Sequence, residues 1–184
     1  MPSGRPFATT SRGASTVVSD APRPSAICDA GPLIHLGEIG AARLLPQFHP
    51  LLVPASVWAE AVSFRPPTDF AWEITAVGEA DRRALEGRLV TQLDPGEADC
   101  LALCSRHPGA IFLTDDLAAR RAPQRLGITV HGSVGIIVRS FRVGLLTRPE
   151  ADTALVALRD CRSLFVTKVI IDLAREELAD APPI

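Results

Sequence analysis

The chain has 184 residues, a length that suits one domain and hardly allows two. Its apolar share of 47% is enough for a real core and excludes global disorder. A net charge of -2 speaks against a simple DNA-binding module with a basic face. It leaves room for a centre where bound divalent cations supply positive charge locally.

Residues Met1 to Pro24 are rich in Ser, Pro, Arg, Gly and Thr without an apolar period, and read as a flexible tail over 1–24. They lack the apolar stretch of a signal peptide. One ordered domain is expected over 25–180. Ser25 to Cys28 reads as a buried strand ending at Asp29, with Pro32 in the first turn of a helix. A short helix is expected over Ala41–Gln47 and a second buried strand over Leu51–Val53. That strand stops at Pro54, and a helix follows over Ser56–Ser63. Phe64–Phe70 is Pro-rich and reads as a loop. Trp72–Val77 is a candidate third strand and Glu79–Arg88 a helix.

Leu-Asp-Pro-Gly-Glu-Ala-Asp then reads as a turn before a strongly apolar helix over Ala98–Ser105. Ala110–Thr114 is an apolar strand ending in Asp115 and Asp116. A helix over Leu117–Leu126 is stopped by Gly127, and Ile128–His131 is the last strand. Helices over Val134–Val143, Pro149–Arg159 and Val166–Ala179 complete the chain. Unbroken apolar strands separated by helices imply a parallel sheet covered on both faces, an α/β class. No apolar run approaches the ~18 residues that a membrane helix needs. Cys28, Cys100, Cys104 and Cys161 match no zinc spacing and read as small buried residues in a reducing cytosol.

In a parallel α/β sheet, ligands bind beyond the carboxyl ends of the strands. Asp29 follows the first strand, and Asp115 and Asp116 follow the strand Ala110–Thr114. Glu60 lies about two turns into the helix after the second strand. Glu97 and Asp99 stand at the start of an apolar helix. Each acid alone has a bland account, as a helix cap, a complement to the helix dipole or a solvated helix residue. Together, four segments set carboxylates beside stretches that should be buried. Gathered like charges raise one another's pKa values and cost stability, and a hard divalent cation is the usual remedy. Such a cluster suits magnesium or manganese and the hydrolysis of phosphodiesters.

Four motifs in order add a family resemblance. Cys28-Asp-Ala-Gly-Pro-Leu-Ile-His-Leu-Gly-Glu-Ile-Gly40 resembles the opening of PIN-domain proteins, and Val53-Pro-Ala-Ser-Val-Trp-Ala-Glu60 their second motif. Leu93-Asp-Pro-Gly-Glu-Ala-Asp-Cys-Leu-Ala-Leu103 resembles the third, and Phe112-Leu-Thr-Asp-Asp-Leu-Ala-Ala-Arg-Arg-Ala122 the fourth. The segment from Leu126 to Gly135 is similar to a subgroup of prokaryotic PIN-like proteins related to VapC-type toxins. The resemblance implies a Rossmann-like three-layer α/β/α sandwich and an Mg2+- or Mn2+-dependent endoribonuclease. It also implies a cytoplasmic homodimer and a toxin restrained by an antitoxin. By position, Asp29, Glu60 and Asp116 match the first, second and fourth acidic places. The third is open between Glu97 and Asp99. Asp115 is an extra acid beside the fourth, and Thr114 matches a hydroxyl that accompanies that motif. The catalytic set so implied is Asp29, Glu60, Asp99 and Asp116, with Glu97 and Asp115 added as metal ligands.

Other features carry less. Arg120, Arg121, Arg125, Arg139 and Arg142 could form a phosphate-binding rim, but solvated helix faces are the weightier account. His35, His49, His107 and His131 share no metal-ligand spacing and read as structural. Cys100 and Cys104, one turn apart, fit a buried stripe better than a redox pair. Trp58 and Trp72 read as core or interface. One rival is a PIN-like module that binds RNA or protein without cutting. Another is a receiver-like signalling domain, which needs a later lysine beside its acids. The only lysine is Lys168, near the C-terminus.

Overall fold

The computed structural model describes residues 23–62, 72–86, 94–117, 119–120, 123–124, 126–161, 163–164 and 166–180. Its centre is a five-stranded, wholly parallel sheet: β1 (Ala26–Cys28), β2 (Leu51–Pro54), β3 (Glu73–Thr75), β4 (Ile111–Leu113) and β5 (Val130–His131). The order across it is β3-β2-β1-β4-β5. The inner strands β1, β2 and β4 are buried at every residue because helices cover them on both sides, which is why their sequences are apolar without alternation. Ile27 pairs with Leu52 on one side and Phe112 on the other.

Eight helical segments of six residues or more surround the sheet among the described residues. They are α1 (Ala30–Glu38), a 3-10 helix (Ala42–Gln47), α2 (Ala55–Ala61), α3 (Glu79–Glu86), α4 (Pro95–Arg106), α5 (Ser133–Arg142), α6 (Arg148–Arg159) and α7 (Lys168–Asp180). α4 lies against β1, β2 and β4, with α3 packed on its outside. α1, the 3-10 helix and α5 pack together, and α6 and α7 add to α5. The chain runs outward from β1 to β3 and then returns to β4 and β5, and the right-handed rule for parallel crossovers puts the helices of the two runs on opposite faces.

Several boundaries differ from the expected ones. α4 begins at Pro95 rather than Ala98, because Asp94 caps it and Glu97 closes a capping box. This puts Asp99 beyond the first turn. The expected strands Trp72–Val77 and Ile128–His131 shorten to β3 and β5, the two sheet edges, where pairing exists on one side only. Within the helix expected over Leu117–Leu126, Leu117, Ala119 and Arg120 are turn residues and Pro123 and Gln124 helical. Asp116 starts that turn by accepting the Ala119 amide at 3.2 Å. Arg23 and Pro24, read as tail, are held on the domain: Arg23 donates to Pro46 O (3.0 Å) and His49 N to Pro24 O (2.9 Å). The expected loop Phe64–Phe70 lies outside the described residues. Cys28, Cys100 and Cys104 are buried free thiols, and Trp58 and Trp72 pack against each other at 5.0 Å on the edge of the core.

Candidate functional site

β1 neighbours both β2 and β4, so the direction of strand order reverses between β1 and β4. The crevice beyond the carboxyl ends of strands at such a reversal is the usual ligand site of an open α/β sheet. Asp29 and the run Thr114-Asp115-Asp116 follow these two strands. The Asp29 amide donates to Leu113 O at 2.9 Å, which stitches the two ends together.

Asp29 caps α1, with Oδ1 accepting the Ala30 amide at 2.8 Å. Its Oδ2 accepts the Thr114 hydroxyl at 2.9 Å, and the same Thr114 oxygen accepts the Asp116 amide at 3.2 Å. Thr114 is fully buried and so fixes two acids relative to each other. Burial pushes the Asp29 carboxyl above its ordinary range; the Ala30 and Thr114 hydrogen bonds oppose this, and the charges of Asp94 and Glu60 add to it. Glu97 is raised too, first by burial and then by Asp94, Asp116 and Asp29, against its hydrogen bond with Asp94. Asp29, Glu60, Asp94, Glu97 and Asp116 therefore share one electrostatic neighbourhood. Each carboxylate oxygen of Asp29 has a lone pair left after its single hydrogen bond.

Asp99 and Asp115, both expected at the metal, are engaged elsewhere. Asp99 is 2% exposed and receives Arg82 on both oxygens (2.5 and 2.9 Å) and the Ser56 hydroxyl at 2.6 Å. Burial pushes its carboxyl up, but the bonds from Arg82 and Ser56 and the guanidinium charge outweigh this and hold it below the usual range. Asp99 thereby ties α2, α3 and α4 together. Asp115 receives His35 Nδ1 at 2.7 Å, the Ser133 amide at 2.7 Å and the Ser133 hydroxyl at 2.6 Å. It caps α5 at the helix's positive end and locks α1 to α5. Sequence reasoning separated neither acid from the cluster, because Arg82 and His35 lie far away along the chain. It also passed over Asp94, whose signal was its place before Pro-Gly-Glu in a capping box.

Asp99→Ala is expected to lower stability by about 2 kcal/mol through the lost charged hydrogen bonds. Urea denaturation measures this, and any loss of function should follow the loss of fold.

The donor set of Asp29, Glu60, Glu97 and Asp116 is all hard oxygen, and the raised carboxyls of Asp29 and Glu97 are what a divalent cation would relieve. As the side chains stand, no three His, Cys, Asp or Glu among the described residues form a ready-made metal cage. Glu60 and Asp116 are exposed and Glu97 is half-buried. The residues present fit such an ion by donor chemistry and charge.

A family model described as a PIN domain matches residues 25–179. The chain belongs to the PIN-domain family. A comparison with curated proteins finds no match. The parallel sheet flanked by helices is the fold expected of a PIN domain, and PIN domains are in general nucleases that use divalent metals. No described helix of this PIN domain is long and apolar enough to cross a membrane.

Proposed function

We propose that this PIN domain is an Mg2+- or Mn2+-dependent endoribonuclease whose centre is Asp29, Glu97 and Asp116, with Glu60 binding the ion directly or through water. The single observation that carries the reading is that Asp29 and Glu97, on separate segments beside the strand-order reversal, are both raised, by burial first and then by neighbouring carboxylates. A stable fold has no need of that repulsion. The third acidic place goes to Glu97, since its field includes Asp29 and Asp116 whereas Asp99 has its own guanidinium.

When bound, the divalent ion supplies charge for the phosphate oxygens and an acidified water. The chain's own residues do the rest. Thr114 sets Asp29 and Asp116 in register. The Asp94–Glu97 capping box (Glu97 N to Asp94 Oδ1, 2.9 Å) holds Glu97 at the start of α4. A carboxylate of the cluster with a raised pKa accepts the proton of the attacking water more readily than an ordinary one.

The test is incubation of the purified chain with single-stranded and structured RNAs in Mn2+, in Mg2+ and in EDTA. Internal cleavage with either ion and none in EDTA is expected. RNA that is bound but left whole under both ions would move the protein to a non-cutting module. Saturating Mn2+ is also expected to raise Tm by about 5–10 °C, since ligand at ~100-fold its Kd adds about 2.7 kcal/mol. Differential scanning calorimetry reads that shift, and Glu97→Gln should reduce it.

The reading extends to a cytoplasmic homodimer whose toxicity an antitoxin restrains. Sedimentation of the purified chain tests the dimer, and growth arrest on induction tests the toxicity.

A further inference from the structure

A second cluster of charge adjoins the acidic centre, and its sign is opposite. A groove of about 400 Å3 runs between α5 and α7, lined by His131, Val138, Arg139, Arg142, Ile170 and Leu173, among others. His131 ends β5, one strand across from the acids. Arg139 sits within the groove with its guanidinium over the Phe48 ring (5.7 Å to the centroid). Arg120 reaches the same end of the sheet: its Nη2 donates to Thr114 O at 3.2 Å and occupies the space a Cβ on Gly132 would need. Burial lowers the pKa of His131, and the charges of Arg139, Arg120 and Arg142 lower it further, so three guanidinium groups bear on one imidazole.

Two of these arginines each carry one enclosed donor without a hydrogen-bond partner among the described residues. Among the described residues, three buried side-chain polar atoms have no hydrogen-bond partner, and two of them are the Nε atoms of Arg120 and Arg139. A buried donor left unpaired costs about 1–3 kcal/mol. Arg142 faces Glu177 in an exposed pair, and such pairs are weak enough for the guanidinium to turn to a better acceptor. The molecule as a whole carries a net charge of -2, and its acidic centre repels any polyanion. A strand of nucleic acid approaching that centre needs cationic contacts supplied by the protein. Arg120 lies next to it, because Thr114, whose carbonyl takes Arg120, holds Asp29 and Asp116 through its hydroxyl, and Arg139 and Arg142 lie along the groove that starts at His131.

We propose that the His131 end of the groove between α5 and α7, with Arg120, Arg139 and Arg142, is a phosphate subsite that holds the RNA strand beside the acidic centre. The proposal rests on the nuclease reading for its substrate but not for its test. Arg120, Arg139 and Arg142 bring guanidinium charge to the backbone oxygens. Val138, Ile170 and Leu173 offer an apolar wall to ribose and base.

The experiment is binding of a fluorescein-labelled single-stranded RNA to the full chain in EDTA, by anisotropy, over a range of salt. Arg139→Gln and Arg142→Gln, each checked for fold by circular dichroism, are expected to weaken binding about tenfold at low salt. Each should also flatten the slope of log K against log salt by about 0.7. Arg175→Gln removes the same charge from α7 where Arg175 pairs with Asp152, and should change neither quantity. Parental affinity and slope in both groove variants would overturn the subsite, as would an equal loss in Arg175→Gln. Binding of an amphipathic acidic peptide but not of RNA by the parent would overturn it in favour of a protein partner. Asp29→Asn keeps these outcomes apart from the fate of the nuclease reading: it should bind RNA in EDTA at least as tightly as the parent.

Discussion

Asp29→Asn is expected to lower metal-dependent RNA cleavage by about a thousandfold in kcat/KM while the fold persists. The loss follows from removing a charged ligand of the ion, whose stabilisation of transition-state charge is worth several kcal/mol. The fold persists because every local role of Asp29 passes to asparagine. Asn is an equally good helix cap, so its carbonyl oxygen can take the Ala30 amide that Oδ1 now accepts at 2.8 Å. Its amide can donate to Thr114, whose hydroxyl rotates to suit. The substitution also removes a carboxylate whose charged form burial and its acidic neighbours disfavour. The metal-free variant should therefore melt no lower than the parent, within about 1 kcal/mol. Cleavage assays with Mn2+ and calorimetry in EDTA give the two readings. A variant that cuts at the parental rate would end the nuclease proposal; one that fails to fold would mean the acid is structural.

Asp115→Ala is expected to have the opposite profile, a loss of about 3–5 kcal/mol in stability. Three donors converge on that carboxylate, and its side chain is 8% exposed. Alanine would leave the Ser133 amide at the start of α5 without its cap and separate His35 from its partner. A domain of this size should melt about 10 °C lower. The pH dependence follows from the sign of the shift. Burial raises the Asp115 carboxyl, but the hydrogen bonds from His35 and Ser133 outweigh it and leave the folded value below the unfolded one. The stabilisation is then complete above the ordinary aspartate range near pH ~4 and is lost as pH falls through the lower, folded value. The difference in Tm between parent and Asp115→Ala should shrink on acidification below about pH 4. A gap that stays constant down to pH ~2 would show that the contribution is packing rather than charge.

Asp115 and Asp116 stand side by side, yet the structure gives them different work: one is enclosed by His35 and Ser133, the other is exposed beside the acidic cluster. Nothing in the local sequence distinguishes two aspartates after an apolar strand. The same holds for Glu97 and Asp99, two residues apart on α4. A helix turns ~100° per residue, so that separation swings one side chain to Asp29 and the other to Arg82.

What the amino-acid sequence determined alone is therefore the local and periodic part. Apolar runs bounded by Asp29, Pro54 and Asp115 specified buried parallel strands, and the run Asp94-Pro-Gly-Glu97 carries the local cap of α4, although its reading as a turn set the helix start three residues late. These follow from burial and from capping between near neighbours. The tertiary structure alone decided which acids share one field and which have a private partner. Arg82 meets Asp99 from 17 residues away, His35 meets Asp115 from 80, and Thr114 meets Asp29 from 85. Coulomb energy and hydrogen bonding depend on distance through space, and only the crossovers of the sheet set those distances.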